Sequence, residues 1–414
     1  MNPIAAVLSS LLVASAALDL AAAQPLPLGN TAIVNTVLDL SADGPRLGVD
    51  GAGSFRIVWQ QAYVDDHYEI RSRRIQANGS LGSESTLNAY TDGNQLVPDV
   101  AMNESADWGA IWQSTDQEGA GTGTHIYARR TTANGSLLSG ELAIDNPATT
   151  ATVSAAAVDV DGTDEMAVAW IDASHTLWFE RSTPAGVEHD EFTVGVTDSS
   201  FAHVAVAALG FNRSVIAWTD ADGDSQGVFL RCVSNVGPLG AAVPVNTSFT
   251  SLQFKPSIAA ADDGHFAVVW YSSTSASRLH VRLFDRDCNP TSGEIDVDDS
   301  PSFPSTNARV GMAADGAFVV GWDIHGEAND ILAREFTKSG VPVGSAFSVQ
   351  GGAFGSPGLP DVAVGPTTFA VAWHAPDYGL DDTLDVLVRR FTRRVVFTDD
   401  FESEGTAAWS SVTP

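Results

Sequence analysis

Short apolar runs that end in tryptophan recur along the whole chain. Most are apolar on both faces of an extended backbone, which is typical of a fully buried β-strand. The runs are SFRIVW (54–59), WGAIW (108–112), EMAVAW (165–170), SVIAW (214–218), FAVVW (266–270), FVVGW (318–322) and FAVAW (369–373). Successive closing tryptophans are separated by 53, 58, 48, 52, 52 and 51 residues. A period of this length, repeated seven times, predicts a β-propeller or a similar all-β array.

One repeat, residues 256–298, predicts four strands that we call a to d. PSIAAA is a short extended segment, FAVVW is the buried strand, RLHVRLFD alternates, and GEIDVDD is a more polar final strand. Turn-forming residues separate them, as in DDGH and RDCNPTSG. Each repeat is therefore expected to form one four-stranded blade, with strand a innermost and strand d at the exposed edge.

The seventh repeat lacks a strand d, and the missing strand is predicted at the other end of the chain. Residues 28–36 read LGNTAIVNT, and residues 239–247, the strand d of the fourth repeat, read LGAAVPVNT. An N-terminal strand that completes the last blade would close the ring and leave no open sheet edge between the first and last blades. The predicted fold is an all-β, seven-bladed β-propeller of four-stranded blades, closed by residues 28–36.

Composition and net charge limit the classes of molecule that the protein is expected to bind. The chain has 414 residues, of which 44% are hydrophobic and 17% charged, and its formal net charge is −30. Only two residues are lysine, Lys255 and Lys338. Such a surface repels nucleic acid and anionic membrane, and it favours cations or neutral ligands.

The N-terminus predicts export. Residues 1–23 combine an apolar stretch with small residues at Ala21 and Ala23, as in a signal peptide. No later segment is long and apolar enough to predict a membrane span. The expected organisation is a signal peptide (1–23), a propeller (24–396) and a C-terminal tail (397–414), in a protein that is secreted, at the cell surface or periplasmic. Cys232 and Cys288 are the only cysteines, and the sequence leaves open whether they pair.

An arginine recurs in strand c of nearly every repeat. Because a residue needed in nearly every blade is most simply structural, we expect it to join blades through a carboxylate or a carbonyl group. The arginines are Arg73, Arg129, Arg231, Arg282, Arg334 and Arg389, and the third repeat has Glu180 instead.

The strand order places the b–c and d–a loops on one face of the ring, here called the loop face. The a–b and c–d turns lie on the other, the turn face, and are short. Function on repeat scaffolds usually lies in variable loops, and several b–c loops are acidic. The candidate ligand-binding residues are Asp65, Asp66, Asp323, Glu327, Asp381 and Asp382.

The segment DADGDSQG (220–227) is a candidate calcium site. Its alternating carboxylates, Asp220, Asp222 and Asp224, are the oxygen ligands that Ca²⁺ prefers. The segment departs from an EF-hand loop, because Gly223 is its fourth residue and it is too short. A solvated acidic turn is the alternative interpretation.

The repeat D-G-x-F-x-V-x-W, followed by A-R or V-R and then G-x-P-x-G, resembles repeats in exported bacterial proteins of largely unknown role. They are regarded as propeller-like and distantly similar to integrin-type repeats. The end of the chain, FTDDFESEGTAAWSS (397–411), resembles a short tail of many secreted proteobacterial proteins, with the pattern F-x-D-G-F-E-S-G. This second resemblance implies export, with sorting or processing of the tail, and supplies no catalytic residue.

Three functions remain open at the level of sequence. The favoured hypothesis is a non-catalytic propeller that binds an extracellular polysaccharide or protein through the loop face. The alternatives are a polysaccharide hydrolase or lyase using acids near the central channel, and a structural surface repeat protein. The binding hypothesis is preferred because the sequence contains no H-E-x-x-H, G-x-S-x-G or C-x-x-C motif.

Overall fold

The computed structural model describes residues 24–394, except for 64–66, 120, 134, 139, 146–152, 184–190, 200–202, 274–277, 299–306, 326–328, 352–354 and 377–382. The predicted signal peptide and C-terminal tail lie outside the described residues. Within these residues the regular elements are 28 β-strands, arranged as seven four-stranded antiparallel sheets. The predicted seven-bladed β-propeller is confirmed.

Blades 1 to 4 each consist of four consecutive strands. Blade 1 contains β2 (Ala42–Val49), β3 (Phe55–Ala62), β4 (Tyr68–Ile75) and β5 (Leu81–Thr86). Blade 2 contains β6 (Gln95–Met102), β7 (Trp108–Thr115), β8 (Thr124–Thr131) and β9 (Leu142–Ala143). Blade 3 contains β10 (Val153–Val160), β11 (Met166–Asp172), β12 (Thr176–Ser182) and β13 (Phe192–Val196). Blade 4 contains β14 (Val204–Gly210), β15 (Arg213–Ala221), β16 (Gln226–Ser234) and β17 (Gly237–Pro244).

Blades 5 and 6 follow the same order, and blade 7 takes its fourth strand from the N-terminus. Blade 5 contains β18 (Leu252–Ala260), β19 (Phe266–Ser273), β20 (Arg278–Phe284) and β21 (Ile295–Asp296). Blade 6 contains β22 (Ala308–Met312), β23 (Phe318–Ile324), β24 (Asp330–Phe336) and β25 (Phe347–Ser348). Blade 7 contains β26 (Gly358–Val364), β27 (Thr368–Pro376), β28 (Leu384–Thr392) and β1 (Ala32–Ile33).

The ring closes by pairing the two ends of the described chain. Ala32 lies opposite Val388 and Ile33 opposite Leu387, in antiparallel register. Backbone hydrogen bonds extend the pairing beyond β1, because Val34 N donates to the carbonyl of Val386 at 2.8 Å. The N-terminal segment therefore completes blade 7, as its likeness to the strand d of blade 4 predicts.

The core lies between neighbouring blades. All seven closing tryptophans are buried, and Trp59, Trp270 and Trp373 are fully inaccessible to solvent. One cluster joins Trp270, within strand b of blade 5, to Val215 and Leu230 of blade 4. Burial of such large side chains at each interface stabilises the stacking of blades about the axis.

In six of the seven blades the recurring arginine bonds to the end of the preceding strand d, and its partner is a carbonyl group. Arg282 shows the pattern: its Nε donates to the Ser292 carbonyl of its own blade at 3.2 Å, and its Nη1 donates to the Val245 carbonyl of blade 4 at 2.8 Å. The Nη1 contacts between blades are Arg73 to Val34, Arg129 to Leu87, Arg231 to Val194, Arg282 to Val245, Arg334 to Val297 and Arg389 to Val349. The Arg73 contact spans the closure, because Val34 follows β1.

Cys232 and Cys288 form a disulfide bond. Cys232 lies in β16 of blade 4, and Cys288 lies in the c–d turn of blade 5, with Cα atoms 6.1 Å apart. The disulfide is therefore a covalent link between neighbouring blades. This decides a question that the sequence leaves open.

Four of the innermost strands carry a bulge immediately before a proline. Their register shifts at this point, and the residue before the proline has positive φ: Gly44, Val97, Lys255 and Leu359. Such bulges re-aim side chains next to functional sites. Here they lie at the loop-face end of strand a, where the channel opens.

Candidate functional site

The innermost strands of all seven blades surround a central channel of about 650 Å³. At one level, each blade contributes the residue that pairs with the position before its closing tryptophan. These residues are Arg46, Asp99, Ala157, Ala205, Ser257, Arg309 and Asp361, in ring order. The repeat therefore places charged side chains at this level in blades 1, 2, 6 and 7 only.

The carboxylates of the channel hold blades together. Each accepts a backbone hydrogen bond from strand a of the next blade: Leu47 N to Asp361 (2.7 Å), Val158 N to Asp99 (3.0 Å) and Ala208 N to Asp159 (2.8 Å). Burial raises the pKa of Asp361 and of Asp159 to about 6. These acids line the channel, and their hydrogen bonds give them a structural role.

A second set of polar side chains lies nearer the loop face, at the channel mouth of blades 4 to 7. Two residues before the channel level, in or just before strand a, blades 4, 5 and 6 carry His203, Lys255 and Asn307. Blades 1, 2, 3 and 7 have Gly44, Val97, Ala155 and Leu359 at this position. Directly after the closing tryptophan, blades 5, 6 and 7 carry Tyr271, Asp323 and His374. We call His203, Lys255, Asn307, Tyr271, Asp323 and His374 the mouth cluster.

Hydrogen bonds connect part of the mouth cluster across two blades. Lys255 Nζ donates to Asn307 Oδ1 at 2.9 Å, and Asn307 Nδ2 donates to Asp323 Oδ2 at 2.6 Å. His325 Nε2 lies 3.5 Å from the same carboxylate oxygen. The Asp323 side chain is completely buried. Asn307 therefore separates the lysine from the carboxylate and fixes the orientation of both.

Gly358 makes room for His374 beside Asp323. A Cβ atom at Gly358 would lie 3.0 Å from His374 Nε2 and 3.9 Å from Asp323 Oδ2, so a larger residue would force the imidazole to move. Burial lowers the pKa of His374 to about 4, although the nearby Asp323 opposes this effect. The imidazole is consequently neutral at neutral pH, with one ring nitrogen able to donate and one able to accept.

Aromatic rings and a second neutral imidazole border Lys255. The His203 and Phe254 ring centroids lie 6.1 Å apart, and Phe254 contacts Tyr271 edge-on at 4.9 Å. Burial lowers the pKa of His203 to about 4, and the positive charges of Lys255 and Arg309 contribute. This side of the mouth thus combines apolar ring faces with hydrogen-bonding groups, as small-molecule sites commonly do.

Of the six predicted ligand-binding residues, the structure places Asp323 in the mouth cluster. It lies there as a buried partner of Asn307 rather than as an exposed loop acid. Asp65, Asp66, Glu327, Asp381 and Asp382 lie outside the described residues. Sequence reasoning missed Lys255, Asn307 and His203. A repeat-by-repeat comparison of strand a would have shown them, because the equivalent positions of blades 1 to 3 are small or apolar.

Two of the three predicted calcium ligands accept backbone hydrogen bonds. Asp220 Oδ1 accepts from the backbone N–H of Asp198 and of Ala221, at 2.9 and 2.8 Å. Asp222 Oδ1 accepts from Ser225 N at 2.9 Å, and Asp224 is exposed. Within the part of the chain that the structure describes, no group of three or more His, Cys, Asp or Glu residues is placed to hold a metal ion. The contacts of Asp220 and Asp222 are those of an acidic turn, and calcium binding by Asp220, Asp222 and Asp224 stays a prediction.

The described residues include no helix that is long and apolar enough to cross a membrane.

Comparisons with known proteins identify the fold alone. No protein-family profile matches the chain, and no curated protein matches it. Among solved structures, a protein of unknown function from Dyadobacter fermentans has a TM-score of 0.54 at 10% identity, covering 89% of this chain and 99% of its own. An ulvan lyase bound to -[GlcA(1-4)Rha3S]- has a TM-score of 0.53 at 9% identity, covering 90% and 97%.

A third structural neighbour differs in how its ring ends. The β-propeller domain of the Trilobed protease from Pyrococcus furiosus has a TM-score of 0.51 at 8% identity, covering 84% of this chain and 93% of that domain. That domain is described as having an open velcro topology. Here, by contrast, β1 pairs with β28 and closes blade 7.

Proposed function

We propose that this chain is a secreted or surface-associated propeller that binds a polysaccharide at the channel mouth of blades 4 to 7. The observation that carries the proposal is the mouth cluster itself. Two residues before the channel level, blades 4, 5 and 6 carry His203, Lys255 and Asn307, and the equivalent residue is small or apolar in the other four blades. A purely structural repeat has no need of this asymmetry.

The chemistry of the mouth suits a hydroxyl-rich ligand. The neutral imidazoles of His203 and His374 can each donate and accept hydrogen bonds, as sugar hydroxyl groups do. Phe254 and Tyr271 add apolar ring faces against which a sugar ring can pack. The ulvan lyase neighbour, a propeller bound to an oligosaccharide, supports this choice of ligand class.

The disulfide between Cys232 and Cys288 supports the proposed location. Disulfide bonds persist in oxidising compartments, which include the cell exterior and the bacterial periplasm. The proposal of export from the N-terminal sequence and the presence of this bond thus agree.

A lyase is the second candidate, and the two neutral imidazoles favour it. A neutral histidine can act as a general base, and burial also lowers the pKa of Lys255. Glycoside hydrolysis usually requires a pair of carboxylates across the bond, and the mouth cluster contains one, Asp323. Among catalytic alternatives, the described residues therefore suit elimination better than hydrolysis.

A glycan array with a parallel cleavage assay tests the proposal. The wild-type protein is expected to bind a polysaccharide. His374→Ala and Asn307→Ala are expected to weaken binding about tenfold or more, since each removes hydrogen-bonding groups from the site. Gln113→Ala, which changes the position equivalent to His374 in blade 2, is the matched control and should leave binding unchanged. Cleavage to unsaturated products would establish the lyase instead, and absence of binding to every glycan would refute the proposal.

A further inference from the structure

We propose that the channel mouth recognises an acidic sugar, and that the anionic group of the sugar binds between Lys255 and Arg309. A uronate carboxylate and a sulfate ester are both anions whose oxygens accept hydrogen bonds, so either could bind this pair of cations. The inference rests on the proposed polysaccharide-binding function and adds the charge class of the ligand.

Lys255 in the mouth cluster and Arg309 at the adjoining channel level are two cations in a very acidic protein. The net charge is −30, and Lys255 is one of only two lysines. Among the described residues, Lys255 forms no ion pair, and its Nζ hydrogen-bonds to the amide of Asn307. Arg309 Nε forms an ion pair with Asp361 Oδ1 at 3.8 Å, beyond hydrogen-bonding distance, and the Arg309 side chain makes no hydrogen bond within the described part of the chain. Donors of both side chains therefore remain available to a ligand.

Backbone geometry places these cations in adjacent blades at the channel opening. Lys255 has a φ of 56°, in the bulge before Pro256, and Arg309 stands at the channel level of blade 6 with 32% of its side chain exposed. Non-glycine residues adopt such a φ at an energetic cost that surrounding structure must offset, and these residues concentrate at functional sites. Lys255 also packs its charge 5.8 Å from the ring centroid of Phe254.

The carboxylate of the mouth cluster, Asp323, is turned towards Asn307 and away from the proposed ligand. Asp323 is fully buried, and Asn307 donates to both its oxygens, from the backbone N–H at 3.1 Å and from Nδ2 at 2.6 Å. The carboxylate thus orients Asn307, and the amide oxygen of Asn307 orients Lys255. An incoming anion meets the lysine before it meets the aspartate.

Electrostatic effects within the cluster agree with this arrangement. Burial lowers the pKa of Lys255; Arg309 lowers it further, and Asp323 opposes both. Lys255 and Arg309 also lower the pKa of His203. An anion placed between two positive charges reduces the repulsion between them. Net charge alone favours cationic or neutral ligands, but exposed charges more than about 8 Å away are largely screened at physiological ionic strength. The charges that act on the ligand are therefore Lys255, Arg309 and the carboxylates beside Arg309, Asp361 and Asp99.

The presence of only two lysines allows a direct test on the intact protein. Reductive ¹³C-dimethylation keeps both positive charges and gives one lysine signal for Lys255 and one for Lys338, which Lys338→Arg assigns. Lys338 lies on the turn face and pairs with Asp263, so it is the internal control. The protein is titrated with an oligoglucuronate, with a sulfated oligosaccharide and with the carboxyl-reduced, neutral form of the oligoglucuronate.

We expect the Lys255 signal to move with at least one acidic oligosaccharide and not with the neutral form, while the Lys338 signal stays unchanged. Lys255→Met and Arg309→Met should each weaken that binding about tenfold or more, and Lys338→Met should not. The response to the two acidic ligands distinguishes carboxylate from sulfate recognition. Equal binding of the neutral oligosaccharide would overturn the inference and leave polysaccharide binding intact. Binding that leaves the Lys255 signal unmoved would also overturn it, and no binding of any glycan would refute both proposals.

Discussion

Asn35 and Asp385, separated by 350 residues in the chain, are joined by a hydrogen bond of 2.7 Å from Asn35 Nδ2 to Asp385 Oδ1. Both side chains are buried. Asn35 Oδ1 also accepts from Val386 N at 2.9 Å, just beyond the pairing of β1 with β28. One asparagine thus fastens the N-terminal segment to the last strand of the ring.

Removing this fastening should destabilise the whole ring. Asn35→Ala leaves the buried Val386 N–H without its acceptor and should lower the free energy of unfolding by about 2–3 kcal/mol. Asn246→Ala is the matched control, because Asn246 Oδ1 accepts from Val228 N at 2.8 Å in blade 4 without joining the chain ends. It should cost about 1 kcal/mol less, since Asn35 also bonds a carboxylate. Deletion of residues 24–36 should lower the melting temperature more than either substitution; unchanged melting would contradict the closure.

The recurring arginines predict a stability effect without a ligand effect. Arg282→Met removes the donors to two carbonyl groups in adjacent blades and should cost about 1–3 kcal/mol in denaturant unfolding. Arg278→Met is the control, because its ion pair with Asp296 is at the surface, with side chains 40% and 56% exposed. It should change stability by about 0.5 kcal/mol or less. Equal effects of the two substitutions would show that the interblade contacts of Arg282 contribute no more to stability than a surface ion pair does.

The disulfide predicts covalent stabilisation of blades 4 and 5. A link between residues 56 positions apart is expected to stabilise the fold by roughly 4 kcal/mol through restriction of the unfolded chain. The Cys232→Ala/Cys288→Ala variant should unfold at correspondingly lower denaturant concentration. Alkylation of the denatured protein should label both cysteines only after reduction. Labelling without reduction would contradict the bond.

The channel acid Asp361 predicts a specific pH dependence. Burial raises its pKa to about 6 in the folded protein, against about 3.9 in an unfolded chain, so the folded state binds the proton more tightly. Stability that Asp361 contributes is therefore lost as the pH rises from about 4 to about 6. Asp361→Asn keeps an acceptor for Leu47 N–H and removes the titration. It should be about 2–3 kcal/mol more stable than wild type near pH 7 and equal to it near pH 4. A pH-independent difference would refute this account.

The sequence predicts the fold because the signals for the blades are local. The spacing of Trp59 to Trp373 and the match between residues 28–36 and 239–247 identify the repeats and the closing strand. The mouth cluster is harder to predict, because the contact from Lys255 to Asn307 crosses two blades and depends on a bulge. The disulfide likewise depends on the distance between neighbouring blades. The sequence analysis selected acidic residues in loops as binding candidates. The polar network that the structure describes consists instead of a lysine, an asparagine and a buried aspartate.

Hydrogen exchange of the protein, with and without the oligosaccharide that binds best on the glycan array, tests the central claim most directly. Bound ligand should slow exchange at the loop-face ends of β18 (Leu252–Ala260), β22 (Ala308–Met312) and β26 (Gly358–Val364), which surround the mouth cluster. The turns at 261–265 and 313–317, on the turn face, should exchange at unchanged rates. Protection of those turns, or of blades 1 to 3 instead of blades 4 to 7, would contradict the assignment of the binding site.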